Sequence, residues 1–289
     1  MIKCAQKRNE APFYMVKHQT LKIEQTQEIK ISASYVSIDK NSPENVNEPH
    51  VHPECEIYIN LGGDVSFMVE GRIYPVVKGN IVISKPYEYH HCVYHSDELH
   101  SHYWFLISAP ESKSAEVLFR KFFNRKSGEN NLLALPYEKE KELFDIAHSL
   151  TAKDIGECEK YANVFKLLAL IDSAEPVPQG NVYSAEISKA VSFIDKNFSS
   201  PTLTVEDIAE HCALSVNTLE RHFRKSLSIS PISYLKKKRL GYGAKLLSLG
   251  KTVSESCELS GFSDYSYFIS LFKKNFGVTP LKYKKQFIQ

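Results

Sequence analysis

A chain of 289 residues with 43% hydrophobic and 24% charged residues has the composition of a soluble globular protein and is long enough for two domains, each with a core of its own. The net charge of +2 conceals an asymmetry: residues 185–289 carry 13 Lys and 3 Arg against 9 Asp plus Glu, a balance of +7, whereas the preceding residues carry 20 basic and 25 acidic side chains, a balance of −5. Only the C-terminal part is therefore expected to meet a polyanion.

Read in chain order, the opening MIKCAQKRNEAPFY has no apolar h-region, so no secretory signal is expected. From about Lys22 to Ser108, short runs rich in Val, Ile, Tyr and Phe alternate with Gly-Gly, Glu-Gly and Lys-Gly-Asn turns. This texture predicts hairpin-connected strands forming an antiparallel barrel or sandwich. Between about Glu111 and Glu175 the period changes to that of a helix: Leu118, Phe122 and Phe123; Leu143, Ile146, Ala147 and Leu150; Val164, Leu167, Leu168 and Ile171. The longest apolar stretch, Val164 to Ile171, is interrupted by Lys166 and too short to span a bilayer. Residues 176–184, PVPQGNVYS, read as an interdomain linker. The six cysteines, Cys4, Cys55, Cys92, Cys158, Cys212 and Cys257, are scattered without a CxxC pair, which argues against a thiolate zinc site or disulfide framework and fits a reducing cytosol.

Beyond the linker, Ile187, Val191 and Ile194 form one apolar stripe, and then two similar units follow. In LTVEDIAEHCALSVNTLERHFRKS, Thr204 is placed to cap a helix from Val205 with Asp207 at its third position, Ala213 and Leu214 make a turn, and Ser215 caps a second helix burying Leu219, Phe223 and Leu227. Its other face offers Asn217, Thr218, Arg221, Arg224 and Lys225 to base edges and phosphates. In KTVSESCELSGFSDYSYFISLFKKNFGVTP, Cys257 takes the place of Ala209, Gly261 and Phe262 turn the chain, Ser263 caps, and Phe268 and Phe272 are the buried pair. The exposed face there is expected to present Asp264, Tyr265, Ser266, Ser270, Lys273 and Lys274. A helix capped by Ser230 with Pro231 at its first position joins the units.

The stretch GFSDYSYFISLFKKNFGVTPLKYK resembles the C-terminal signature of the AraC/XylS family of bacterial transcription regulators, over roughly Ile187 to Phe287. The resemblance implies seven helices, with two recognition helices at about 216–226 and 264–274 entering major-groove segments about 34 Å apart. Gly241 and Gly243 interrupt the linking helix, each at a cost of ~1 kcal/mol relative to Ala, which puts its rigidity in question. Ser270 stands where the family commonly has a basic residue, so the first unit is expected to do most of the base reading.

In the N-terminal part, His50-Val51-His52, Glu56 and Gly62 or Gly63 resemble the first cupin motif; Gly79 to Pro86 followed by His90 resemble the second, with Asn80 and Tyr87 departing from its usual Asp and Gly. Strand alternation puts His50 and His52 on one face. The AraC-like context implies a metal-free effector pocket built from His50, His52, Glu56, Tyr58, Phe67, Tyr74, His90 and Trp104, with His91 and Tyr103 as further wall residues. The same His50, His52, Glu56 and His90 are also a set that could bind a divalent transition metal, in which case a metal-dependent cupin enzyme is the alternative. His95, His100 and His102 are expected near strand ends with little weight of their own.

The resulting expectation is an α+β multidomain protein. Residues 1–110 form an N-terminal arm and cupin-like antiparallel β-barrel, 111–175 a helical dimerisation segment, 176–184 the linker, and 185–289 an all-α double helix-turn-helix domain. Its expected role is a cytoplasmic, homodimeric, non-enzymatic regulator without a cofactor. It would bind double-stranded DNA, a small polar effector such as a sugar, and RNA polymerase, but no membrane, and activate a catabolic or transport operon.

Overall fold

The computed structural model describes residues 14–15, 19–24, 27–38, 50–108, 113–152, 154–178, 185–227 and 229–287. Eleven strands come in two sheets among them. The larger is built from β1 (Tyr14–Met15), β2 (Gln19–Glu24), β3 (Gln27–Ile38), β4 (Cys55–Gly62), β7 (Ile81–Ser84), β9 (His100–Ile107), β10 (Leu132–Ala134) and β11 (Glu175–Pro176). Its order is β1-β3-β9-β4-β7-β10-β11, with β2 also pairing β3. The smaller is β5 (Val65–Val69), β6 (Arg72–Val76) and β8 (His90–Tyr94), in the order β6-β5-β8. All described pairings are antiparallel.

The expected closed barrel is corrected here: the two sheets stay open. A single bridge, His50 to His90, flanks the small sheet instead of a continuous ladder joining it to the large one. The helices α1 (Lys113–Leu118), α2 (Arg120–Phe123), α3 (Tyr137–Thr151) and α4 (Glu157–Ser173) cover the outer face of the large sheet. The pleat explains the division. Ile57 and Ile59 of β4, Ile81 and Ile83 of β7, and Tyr103, Phe105 and Ile107 of β9 share one core with Leu143, Ile146, Leu150, Val164, Leu167 and Ile171. Their alternates, Tyr58 and Val82, face inward onto Phe67 and Tyr74 of the small sheet. The helical periodicity of 111–175 is thus used on the sheet, and Phe123 remains 46% exposed. The three-residue β10 and two-residue β11 in this region are too short to leave a periodic trace. Val177 extends that edge by donating its N–H to the Leu132 carbonyl at 2.9 Å, and residues 179–184 of the expected linker lie outside the described residues.

Seven helices follow: α5 (Ala185–Asn197), α6 (Val205–His211), α7 (Val216–Leu227), α8 (Pro231–Ser248), α9 (Val253–Leu259), α10 (Tyr265–Phe276) and α11 (Pro280–Lys284). Thr204 and Asp207 form a reciprocal capping box at α6, and Thr252 and Glu255 repeat it at α9. Ser230 caps α8 with Pro231 in the first turn. The start of α10 differs from expectation, because Asp264 rather than Ser263 is its N-cap, accepting from Tyr267 N at 2.9 Å. An ionised carboxylate at a helix N-terminus also meets the favourable end of the dipole. Two cores result: Leu219, Phe223 and Leu227 pack with α5, α6 and Tyr234, and Phe268 and Phe272 pack with Cys257, Leu240, Leu247 and Tyr283.

The glycines of α8 prove to be contact points in a continuous 18-residue helix. A Cβ on Gly241 would lie 3.2 Å from Val51 Cγ1, and one on Gly243 would lie 3.1 Å from the Phe268 ring. Their helix-propensity cost is accepted so that α8 can approach β-sheet domain and α10 closely. No helix among the described residues is long and apolar enough to cross a membrane.

Candidate effector pocket and nucleic-acid interface

The segment before β4 brings two histidines to a third. His50 N donates to the His90 carbonyl at 3.0 Å and His90 N returns the bond at 3.1 Å. The ring centroids are 4.6 Å apart for His50 and His90, and 4.9 Å for His52 and His90. Glu56, 3% exposed on the inner face of β4, completes the group. Its Oε2 lies 3.0 Å from His52 Nε2 and 3.2 Å from His90 Nε2, and accepts from Trp104 Nε1 at 3.1 Å. Burial opposes ionisation of Glu56, but His90 and His52 overcome it and hold the carboxyl well below the usual carboxylate range. Burial likewise opposes charge on His52, while Glu54 and Glu56 outweigh it and push the imidazole to about 9. Among the described residues, His50, His52, Glu56 and His90 are the group whose ligand atoms are close enough to hold a metal ion.

The remaining expected wall residues divide. Tyr58 and Phe67 sit on the same inner face, their rings 5.0 Å apart, and Phe67 stacks 5.9 Å from His90. Tyr74 is engaged elsewhere: its hydroxyl donates to the Gly128 carbonyl at 2.5 Å, and burial pushes that phenol up to about 12. Tyr103 belongs to the opposite face, 5.5 Å from Tyr35 and within the helix-covered core, because it alternates with Trp104. His91 is turned away from His90 for the same reason; it is 1% exposed, both ring nitrogens lack a hydrogen-bond partner, and burial pushes it down to about 3.

His100 opens β9, at the strand end expected for it, and His102 lies two residues further in. With Trp104 they share the inner face of β9 at a spacing of two, a signal already present in HSHYW. His102 stacks 4.6 Å from Tyr58 and 4.7 Å from His100, and burial pushes it to about 3. His100 Nε2 lies 2.9 Å from the Tyr58 hydroxyl and its Nδ1 lies 2.9 Å from the Gly62 carbonyl. The interior therefore combines imidazoles, a phenol, an indole and one carboxylate, groups that orient a polar molecule through several directed hydrogen bonds.

On the helical side, Asn217, Arg221, Arg224 and Lys225 are exposed on α7, with Thr218 half-buried. Thr218 lies at the helix start, its hydroxyl 2.9 Å from Ser215 Oγ, and Arg224 reaches Glu220 at 3.5 Å. Such an exposed pair is weak and leaves the guanidinium available to a stronger anion. Tyr265, Ser266, Ser270, Lys273 and Lys274 are all exposed on α10. Asp264 is engaged in capping instead. Lys236 of α8, not singled out by the sequence, stands 5.3 Å from the Tyr267 ring centre and adds a cation beside the second unit.

The two parts are docked together. Gly71, in the β5–β6 turn, packs against Val191 and Tyr234; Met68 and Tyr89 enter the core of the first unit. Lys238 of α8 pairs with Glu70 and lies 2.9 Å from Asp195. Burial opposes its charge, but the two carboxylates prevail and hold the ammonium above its usual range. Tyr283 of α11 donates to the Tyr87 hydroxyl at 3.2 Å, while Tyr87 N donates to the His52 carbonyl at 2.9 Å. His50 and Val51 line a cavity of about 30 Å³ with Lys237, Leu240 and Phe276.

Known proteins resemble both parts. A family model described as the AraC-like ligand binding domain matches residues 34–122, and one described as a helix-turn-helix domain matches residues 208–286. The bifunctional transcriptional activator/DNA repair enzyme AdaA of Bacillus subtilis is 33% identical over 94 residues, which is 32% of this chain and 44% of that protein. The HTH-type transcriptional activator RhaR of Mannheimia succiniciproducens is 24% identical over 276 residues, 90% of this chain and 98% of its own length. The lactose operon transcription activator of Staphylococcus xylosus is 26% identical over 159 residues, 55% of this chain and 48% of that protein. The chain thus spans less than half of AdaA and of the lactose activator, and nearly the whole of RhaR. It carries a segment matching the AraC-like ligand binding domain, followed by one matching a helix-turn-helix domain, in the order in which it aligns with nearly the whole of RhaR.

Proposed function

We propose that this protein is a ligand-responsive, sequence-specific DNA-binding regulator that activates a catabolic or transport operon. The observation carrying this reading is the placement of the His50–His52 segment between the inner pocket and α8. His50 and His52 join the His90–Glu56 group, while Val51 between them packs on Gly241 of the helix linking the two recognition units. A ligand that shifts the histidines thereby acts on the element that sets the spacing of α7 and α10. It must bind the DNA-competent arrangement more tightly than the other, and DNA must tighten ligand binding by the same factor.

A sugar is the effector class we favour. The pocket's imidazoles, Tyr58 and Trp104 suit a polar ring, and one relative is an activator of a lactose operon. RNA polymerase contact, homodimerisation and a cytoplasmic location complete the proposal. The apolar stripes of α3 and α4 are buried on the large sheet, so pairing of two chains would use other surface, including the exposed Val117, Phe123 and Tyr137. We assign the chain no catalytic step: its matched families and the RhaR relative point to transcription regulation, although the relative AdaA is also a DNA repair enzyme.

Selection of genomic fragments on the purified chain tests the reading. Enrichment of a shared sequence upstream of a transport or catabolic operon is expected. Recovery of fragments in proportion to their abundance would refute sequence-specific binding.

A further inference from the structure

The geometry points to a divalent transition-metal site formed by His50, His52, Glu56 and His90. This goes beyond the regulator reading and stands independently of it.

Each of the four offers one ligand atom, and these atoms lie within 4.8 Å of one another. Donors held about 2.0–2.2 Å from one ion are separated by roughly 3–4.4 Å. The group is therefore close to the spread that an ion requires, with only small movements left to make. Three imidazoles and a carboxylate form a mixed nitrogen and oxygen set suited to a first-row divalent ion such as Zn²⁺, Co²⁺ or Ni²⁺.

The hydrogen bonds around the group orient its ligand atoms toward one another. His90 Nδ1 is 2.7 Å from the Glu88 carbonyl, which can only accept, so Nδ1 carries the proton. Its Nε2 then faces Glu56 Oε2 at 3.2 Å. An ion between them would take one ligand bond from each. Anchoring one ring nitrogen on a backbone carbonyl is also how proteins orient a metal-binding imidazole. His52 Nδ1 lies at ion-pair distance, 3.4 Å, from a Glu54 carboxylate oxygen, while Nε2 faces Glu56. Trp104 Nε1 donates to the same Glu56 oxygen at 3.1 Å and fixes the carboxylate.

The backbone supports the same arrangement. The reciprocal His50–His90 bridge sets two of the four residues directly opposite each other, and alternation returns His52 to their side. Glu56 and His90 are 3% and 1% exposed, so both ligands are held in the interior.

The test uses the full chain, stripped with a chelator and titrated with zinc chloride in competition with a chromogenic chelator. A parallel titration with cobalt(II) chloride reports ligand type through its visible absorption. One equivalent per chain and a cobalt spectrum of nitrogen and oxygen ligation are expected. His52→Ala and Glu56→Gln should lose the stoichiometric equivalent, whereas His91→Gln, next to His90 but turned away from it, should keep it. Circular dichroism identifies variants that remain folded, and a rise in the wild-type melting temperature on zinc addition provides a readout that needs no variant. Failure of wild type to take up either ion, or undiminished uptake by folded His52→Ala and Glu56→Gln, would overturn the site. DNA binding measured on the same samples separates the two claims, because metal uptake can fail while sequence-specific DNA binding persists, and the reverse.

Discussion

Glu88 is 1% exposed yet ionised, and every part of its carboxylate is occupied. Arg125 donates through Nη1 to Oε1 at 2.7 Å and through Nη2 to Oε2 at 2.6 Å, with Gly128 N, Lys85 N and Asn131 Nδ2 as further donors. Burial opposes ionisation, but Arg125 and these N–H groups hold the carboxyl below its usual range. Removing one partner of such a pair strands a buried charge, so Arg125→Met should cost about 3–5 kcal/mol in urea unfolding. A depressed folded-state pKa means that the stabilisation is complete above the unfolded value of about 4.3 and is lost as pH falls through the folded value. Stability should therefore fall from about pH 5 downward, and Glu88→Gln should flatten that limb; identical acid limbs would remove Glu88 as a contributor. Nothing local in the sequence indicated this pair, since its members lie 37 positions apart. The histidine group was legible because its motif is compact and period two is a local rule. The same rule, applied to adjacent Trp104–Tyr103 and His90–His91, separates each pair onto opposite faces and corrects the wider pocket list.

At the scale of elements, the caps and turns of the helix-turn-helix units were the most readable part. Thr204, Ser215 and Ser230 act within three residues of their own positions, and Leu219 and Phe223 lie on one helical stripe. Asp264 competed with Ser263 for the cap of α10 and won, with an ionised acceptor at the helix N-terminus. What remained hidden depended on distant partners: the open sheets, the short β10 and β11, and the approach of Val51 to Gly241. The exposed faces of α7 and α10 are unequal in charge. α7 presents Arg221, Arg224 and Lys225, while α10 begins with Tyr265 and Ser266 and reaches its lysines only at Lys273. Lys273 lies in the last turn of α10 and is expected to meet phosphate. Lys273→Ala should weaken binding on all sequences and reduce the slope of log K against log salt by about 1. An unchanged slope would remove Lys273 from the phosphate contacts.

For the whole molecule, the N-terminal sheet domain rests on both helical units at once. Gly71, Met68 and Tyr89 meet the first, Tyr87 meets Tyr283 of the second, and Val51 meets α8 between them. Lys238 ties this contact electrostatically to Glu70 and Asp195. Lys238→Met leaves Glu70 buried without its cation, at a cost of about 3–5 kcal/mol to the docked arrangement. Hydrogen exchange should then rise together at α8 and the β5–β6 turn; unchanged exchange at both would show that the triad does not hold the domains. The central claim is that the exposed face of α7 reads DNA sequence. Its most direct test is equilibrium binding, by fluorescence anisotropy, of wild type and Arg221→Ala to the selected duplex and to a scrambled duplex. The account predicts tighter wild-type binding to the selected duplex and a loss of about 1–3 kcal/mol for Arg221→Ala, confined largely to that duplex. Equal binding of both proteins to both duplexes would contradict it.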